Sequence, residues 1–125
     1  MKLGDSAEIK RCVNAHDVLD YTALSHHAIA DDRVPEPLIG AFFSYLLGVK
    51  LPGRGANYLK QDTRFHQAAR IGDALTARVE ITRIRSAKHL VDLSTTCTGA
   101  DGQLIASGRA LVLVRDVAAP LDAHD

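Results

Sequence analysis

A chain of 125 residues with 46% hydrophobic content holds enough apolar material for one core and one domain. Its 15 basic and 15 acidic residues cancel and are mixed along the chain, which leaves no electrostatic footprint for nucleic acid or an anionic membrane. Cys12 and Cys97 form no Cys-x-x-Cys pair and the Met-Lys-Leu-Gly-Asp start lacks the apolar run of a signal peptide, so reduced thiols in a cytoplasmic protein are expected.

The first element expected is a short strand over Ser6 to Val13, where Ala7, Ile9 and Val13 alternate with polar residues and Arg11 breaks the pattern. Asn14 is a good N-cap and Asp17 suits a helix start, which predicts a first helix carrying Val18, Tyr21 and Leu24 and ending near Ser25. His26 to Val34 reads as a polar, irregular connection. Pro35-Glu36-Pro37 then supplies the fixed φ of a first helical turn, where a missing N–H costs nothing. Leu38, Ile39, Phe42, Phe43, Leu46 and Leu47 follow at spacings of three and four, and Gly48 marks a left-handed end. Only Ser44 in this run is plainly polar. A helix of about 11 residues cannot span a bilayer, and a surface helix would show a polar face. It is therefore expected at the centre of the domain, over about residues 37–47.

Pro52-Gly53 and Gly55 mark a tight loop after it. The remaining chain reads as strands: Tyr58 to His66, Leu75 to Thr82 after Gly72-Asp73, His89 to Thr98, and Gln103 to Arg115 after the Asp101-Gly102 turn. The loops are too short for crossover helices. The fold class is therefore α+β, a curved antiparallel sheet wrapped around one apolar helix. The domain is expected to run over residues 1–116, with a loose tail at 117–125. A curved sheet around a single helix also leaves an unpaired edge, which predicts a dimer.

Leu46-Leu47-Gly48, Leu51-Pro52-Gly53-x-Gly55, Tyr58-Leu59-x-Gln61, Phe65 and Gly72-Asp73, in this order and at these spacings, resemble the MaoC-like dehydratases. These are the R-specific enoyl-CoA hydratases of the hot-dog fold. In weaker form the similarity runs from Leu3-Gly4-Asp5 through Leu24-Ser25 to the last strand, and so covers most of the chain. The resemblance implies a hot-dog fold and a dimer. It also implies an acyl-CoA or acyl-carrier-protein thioester in a tunnel at the subunit interface, with no further cofactor.

The catalytic segment departs from the family. There, Asp-x-Asn-Pro-x-His stands between Leu-Ser and the central helix, and its Asp and His activate the water that adds across a trans-2-enoyl thioester. Here that segment is markedly shorter and the motif is missing or degenerate. Placing Asp32-Arg33-Val34-Pro35 on Asp-x-Asn-Pro sets Val34 in place of the Asn and Pro37 where the His belongs. Keeping Leu24-Ser25 in register brings His26 and His27 near the catalytic region instead. Asp32 is thus the candidate catalytic carboxylate, with His26 or His27 as its partner in proton transfer. The backbone N–H groups of Leu38, Ile39 and Gly40 at the helix start are the candidate donors to the thioester carbonyl.

Each candidate also has a plainer role. Acids before a proline-led helix favour its positive end whatever the function, which accounts for Asp31 and Asp32. His26 and His27 fit a solvated loop, and being adjacent they lack the spacing of a zinc site. Lys60, Arg64, His66 and Arg70 fit a solvated strand face, although one could meet a CoA phosphate. There is no Gly-x-Ser-x-Gly elbow and no phosphate loop. Three readings remain open. One is an enoyl-thioester hydratase or 3-hydroxyacyl dehydratase with a rearranged site. The second is a non-catalytic acyl-CoA-binding subunit, as a homodimer or paired with an active hydratase. The third is a hot-dog thioesterase using Asp31, Asp32 or Glu36.

Overall fold

The central helix forms where the prolines and the apolar spacing place it. In the computed structural model, which describes residues 1–14 and 32–115, α1 spans Glu36–Tyr45. Pro35 is its N-cap with φ −59° and ψ 134°, Pro37 lies in its first turn, and no side chain caps it. The extended ψ of Pro35 is what a residue followed by a helix must adopt at the boundary. Strand β1 (Ser6–Cys12) precedes the helix, and β2 (Asn57–Phe65), β3 (Ala74–Arg85), β4 (Leu90–Thr98) and β5 (Leu104–Leu113) follow it. The first helix expected over residues 14–25, and the C-terminal tail, lie outside the described residues.

The helix does not end at a left-handed Gly48. It continues into one wider π turn over Leu46–Lys50, closed by the Leu51 N–H donating to the Leu46 carbonyl at 2.8 Å. Gly48 answers a different need. A Cβ at this position would stand 3.0 Å from the Tyr58 hydroxyl, which donates a hydrogen bond to the Ser44 carbonyl at 2.6 Å. The glycine makes room for a tyrosine that ties the start of β2 to the helix. Partial burial pushes the Tyr58 phenol pKa up.

All five strands join in one antiparallel sheet of order β1-β3-β4-β5-β2. The register builds the inner face in rows. Ile9, Ala77, Cys97 and Ala106 form one row, and Ile81, Leu93 and Ala110 another. All of these are buried, and Ile39, Phe43, Leu46 and Leu47 of the helical segment complete the core with 0–1% exposure. Period-two alternation in β3 and β4 therefore does what it predicts: one face meets the helix and the other meets water.

Two details go beyond the pattern. β3 runs on to Arg85 through a bulge between Ile81 and Arg83. Thr95 shares the buried face of β4 with Val91, Leu93 and Cys97, and its hydroxyl finds no partner among the described residues.

The expectation that the helix is buried nearly all round needs correcting. Phe43 is fully buried, but Phe42 and Leu38 are half-buried and Tyr45 is 41% exposed. Beside this open flank β2 has no fully buried residue, and Gln61, Thr63 and Phe65 on its inner face are only half-buried. One sheet of this curvature covers one side of the helix and leaves the flank toward β2 uncovered.

Three substitutions test this architecture. Phe43→Ala should cost about 3–5 kcal/mol in a urea melt, the usual range for an emptied aromatic site. Gly108→Ala should be more damaging than its size suggests, because a Cβ there runs into the Asp62 carbonyl of the neighbouring strand. A third follows from Cys97, whose thiol burial pushes up from 9.0 to about 11. A raised pKa contributes stability below the unfolded value and loses it as pH rises through the folded one. Between these two values the native chain should therefore lose stability by about 3 kcal/mol, and Cys97→Val should show a flatter loss over the same window.

Candidate active site

The residues before the helix are pinned to the connection between β2 and β3. Arg33 and Arg70 form an antiparallel bridge. The Val34 N–H donates to the Ala69 carbonyl and the Ile71 N–H to the Asp32 carbonyl, both at 2.7 Å. The Asp32 carboxylate pairs with the Arg70 guanidinium at 2.5 Å, with side chains 59% and 62% exposed.

The β2–β3 connection is itself a closed turn. The Arg70 N–H donates to the Asp73 carboxylate and the Asp73 N–H returns to the Arg70 carbonyl, both at 3.0 Å. Gly72, at φ +96°, takes the left-handed backbone that this turn requires, and its N–H reaches the Val13 carbonyl at 2.8 Å. Gly72-Asp73 thus opens β3 and also fixes where the helix starts.

Of the expected site residues, the structure places Asp32 at the surface, three residues before the N-cap. His26 and His27 lie outside the described residues. The donors at the helix start are fewer than the general rule gives. A helix leaves its first four N–H groups unpaired, but here Pro35 and Pro37 have none. The Leu38 N–H, expected to be free, donates to the Pro35 carbonyl at 3.0 Å. Ile39 and Gly40 lie one turn further in, where helical N–H groups turn to the carbonyls four residues back. Glu36 is exposed in the first turn.

Sequence reasoning missed two contacts. Arg70, read as one of several solvated cations, is the partner of Asp32; the Arg-Ile-Gly-Asp turn that presents it is the signal that points there. His66 Nε2 lies 2.7 Å from Ser107 Oγ on β5, a pairing across strands that no linear spacing reveals. Among the described residues no group of three or more His, Cys, Asp or Glu could hold a metal. No described helix is long and apolar enough to cross a membrane.

This helix, turn and sheet order recur in known proteins. An (R)-specific enoyl-CoA hydratase of Rhodospirillum rubrum is 32% identical, the alignment covering 91% of this chain and 88% of that protein. The chain belongs to the MaoC-like, (R)-specific enoyl-CoA hydratase family. A second (R)-specific enoyl-CoA hydratase, from Aeromonas caviae, is 31% identical over 90% of this chain and 94% of its own. The solved (R)-hydratase from A. caviae, described as involved in PHA biosynthesis, superposes with a TM-score of 0.83 and covers 90% of this chain and 96% of its own. R-hydratase PhaJ1 from Pseudomonas aeruginosa, at 22% identity, shares the fold with a TM-score of 0.83 over 100% of this chain and 89% of its own. No protein-family model matches the chain. Membership fixes the hot-dog fold, α+β with one helix held by a curved antiparallel sheet.

The Asp32–Arg70 pair is exposed on both sides, so as a structural contact it is worth little. Asp32→Asn should change stability by less than about 1 kcal/mol in denaturant melts, which makes it a clean probe of any role in catalysis.

Proposed function

We propose that this hot-dog chain acts on CoA thioesters in the cytoplasm as an enoyl-CoA hydratase or 3-hydroxyacyl-CoA dehydratase. The observation that carries this is the identity of 31–32% to two (R)-specific enoyl-CoA hydratases over nine-tenths of the chain. A 3-hydroxybutyryl-CoA dehydratase of Methylorubrum extorquens, 29% identical over 91% of this chain, supports the same chemistry in the reverse direction.

In this reaction a base takes a proton from water, the oxygen bonds to C3 of the enoyl thioester, and negative charge moves onto the thioester oxygen. A proton then reaches C2. The base must lie within hydrogen-bond reach of the water, and the oxygen needs fixed donors as its charge grows. Asp32 is the proposed base, with His26 or His27 completing the proton transfer. The helix start, Glu36 to Gly40, is the proposed seat of the thioester oxygen. Leu38, Phe42 and Phe65, each half-buried against the core, offer an acyl chain apolar surface. For Asp32 to act, its carboxylate must share or leave the Arg70 guanidinium.

That ion pair, with the two prolines at the helix start, favours a second reading: an acyl-thioester-binding subunit that leaves chemistry to an active partner chain. Crotonyl-CoA hydration, followed by loss of enoyl absorbance, separates the two. On the first reading the unmutated chain turns over, and Asp32→Asn lowers kcat by on the order of 10²-fold or more with a modest change in KM. Equal activity in Asp32→Asn and in the His26→Ala/His27→Ala double variant removes the assignment of these residues. Binding of acyl-CoA without hydration supports the second reading, and release of free CoA from a saturated acyl-CoA would point to thioester hydrolysis instead.

A further inference from the structure

The outer face of the sheet carries an apolar patch that the core does not explain. On β4 and β5, Val91, Leu93, Val112 and Val114 are buried and point inward. Strand alternation therefore turns Leu90, Leu111 and Leu113 to the other side, where each is half-buried. Leu90 pairs directly with Leu113, and Leu111 sits two residues before Leu113 on the same face. These leucines break the polar pattern that Ser94, Thr96, Ser107 and Arg109 keep along the rest of the two strands.

Cations border this patch. Arg83 and Arg85 stand beside it on β3, opposite Asp92 and Leu90, and Lys60 of β2 stands opposite Leu111. Past its end, the β3–β4 turn carries exposed Lys88 and His89. The Val114 N–H donates to the His89 carbonyl at 2.8 Å, which sets exposed Arg115 next to that turn. The neighbouring carboxylates are engaged. Asp92, 14% exposed, accepts from Arg85 at 2.8 Å, Glu80 accepts from Arg78 at 2.7 Å, and Asp62 lies 3.9 Å from Lys60. Among the described residues Arg83, Lys88 and Arg115 have no ion-pair partner. The zero net charge of the chain therefore hides a local positive surplus around an apolar centre.

We infer that this face binds an acidic amphipathic peptide segment of a partner protein. Its apolar side chains rest on Leu90, Leu111 and Leu113, and its carboxylates meet Arg83, Lys88 and Arg115. Charge complementarity selects this occupant. A second copy of the chain would bring the same cations against themselves. Binding to a lipid surface needs apolar side chains that enter the acyl boundary, and these half-buried leucines are recessed between longer cationic ones. Nucleic acid draws its affinity from phosphate contacts and stacked bases, and it has no use for a leucine patch without Phe, Tyr or Trp. The inference stands apart from the thioester chemistry, since binding is measured without substrate, so either reading can fail alone.

The test is fluorescence anisotropy of a labelled helical peptide that carries leucines along one face and glutamates beside them. The full chain should bind it saturably, and more weakly as salt rises. Leu111→Ser should weaken binding about tenfold, and Arg83→Glu and Lys88→Glu about threefold each. Lys10→Glu, on β1 away from the patch, should leave binding unchanged. A peptide of the same composition with its leucines scattered should bind about tenfold more weakly. Circular dichroism checks the fold of each variant, and the exposed Arg83 and Lys88 changes carry the test if the leucine variant unfolds. Absence of binding, equal binding of the scattered peptide, or an equal loss in Lys10→Glu overturns the inference. So does tighter binding of phosphatidylserine vesicles or of a DNA oligonucleotide that the same patch variants abolish.

Discussion

The structure depends on covering one apolar helix. Ile39 and Phe43 of α1, with Leu46 and Leu47 of the π turn, have 0–1% exposure, and no polar side chain among them tolerates another arrangement. The sheet supplies the cover because β4 alternates throughout and β3 alternates up to its bulge, so that their inward residues are buried and, Thr95 apart, apolar. The curvature that wraps this face around the helix also stops short of β2. The same constraint therefore builds the core and leaves a half-covered flank between Phe42, Tyr45 and the inner side of β2.

The point where the helix begins is fixed by the backbone around it. The chain holds that point with three devices: prolines at the N-cap and in the first turn, a bridge from Arg33 to Arg70, and a turn closed by Asp73. The first removes hydrogen-bond donors from the helix end, and the second draws the Asp32 carboxylate toward Arg70. A rigid lead-in and a sparse set of donors thus have the same origin.

The far end of the helix is held by another means. Gly48 admits the Tyr58 hydroxyl, which bonds the Ser44 carbonyl and fixes β2 against the helix. β2 also forms the edge of the sheet among the described residues, with a bulge at Leu59 between the Tyr58 and Lys60 pairings. Anchor and edge belong to one strand, so its position sets the width of the open flank.

The sequence by itself determined the elements and the fold class. Period-two alternation marked β1 through β5 to within a few residues, and the run from Leu38 to Leu47 marked the central helix, because side-chain periodicity is a local property of the backbone. The ordered pieces from Leu46-Leu47-Gly48 to Gly72-Asp73 carried the family. Tertiary structure alone decided the rest. The role of Gly48 depends on Tyr58, ten residues away in sequence, and the partner of Asp32 is Arg70, thirty-eight residues away. The half-exposure of Phe42 depends on where the sheet stops curving. None of these is local: each is set by which strands meet across the core, and the spacing of residues along the chain does not encode that meeting.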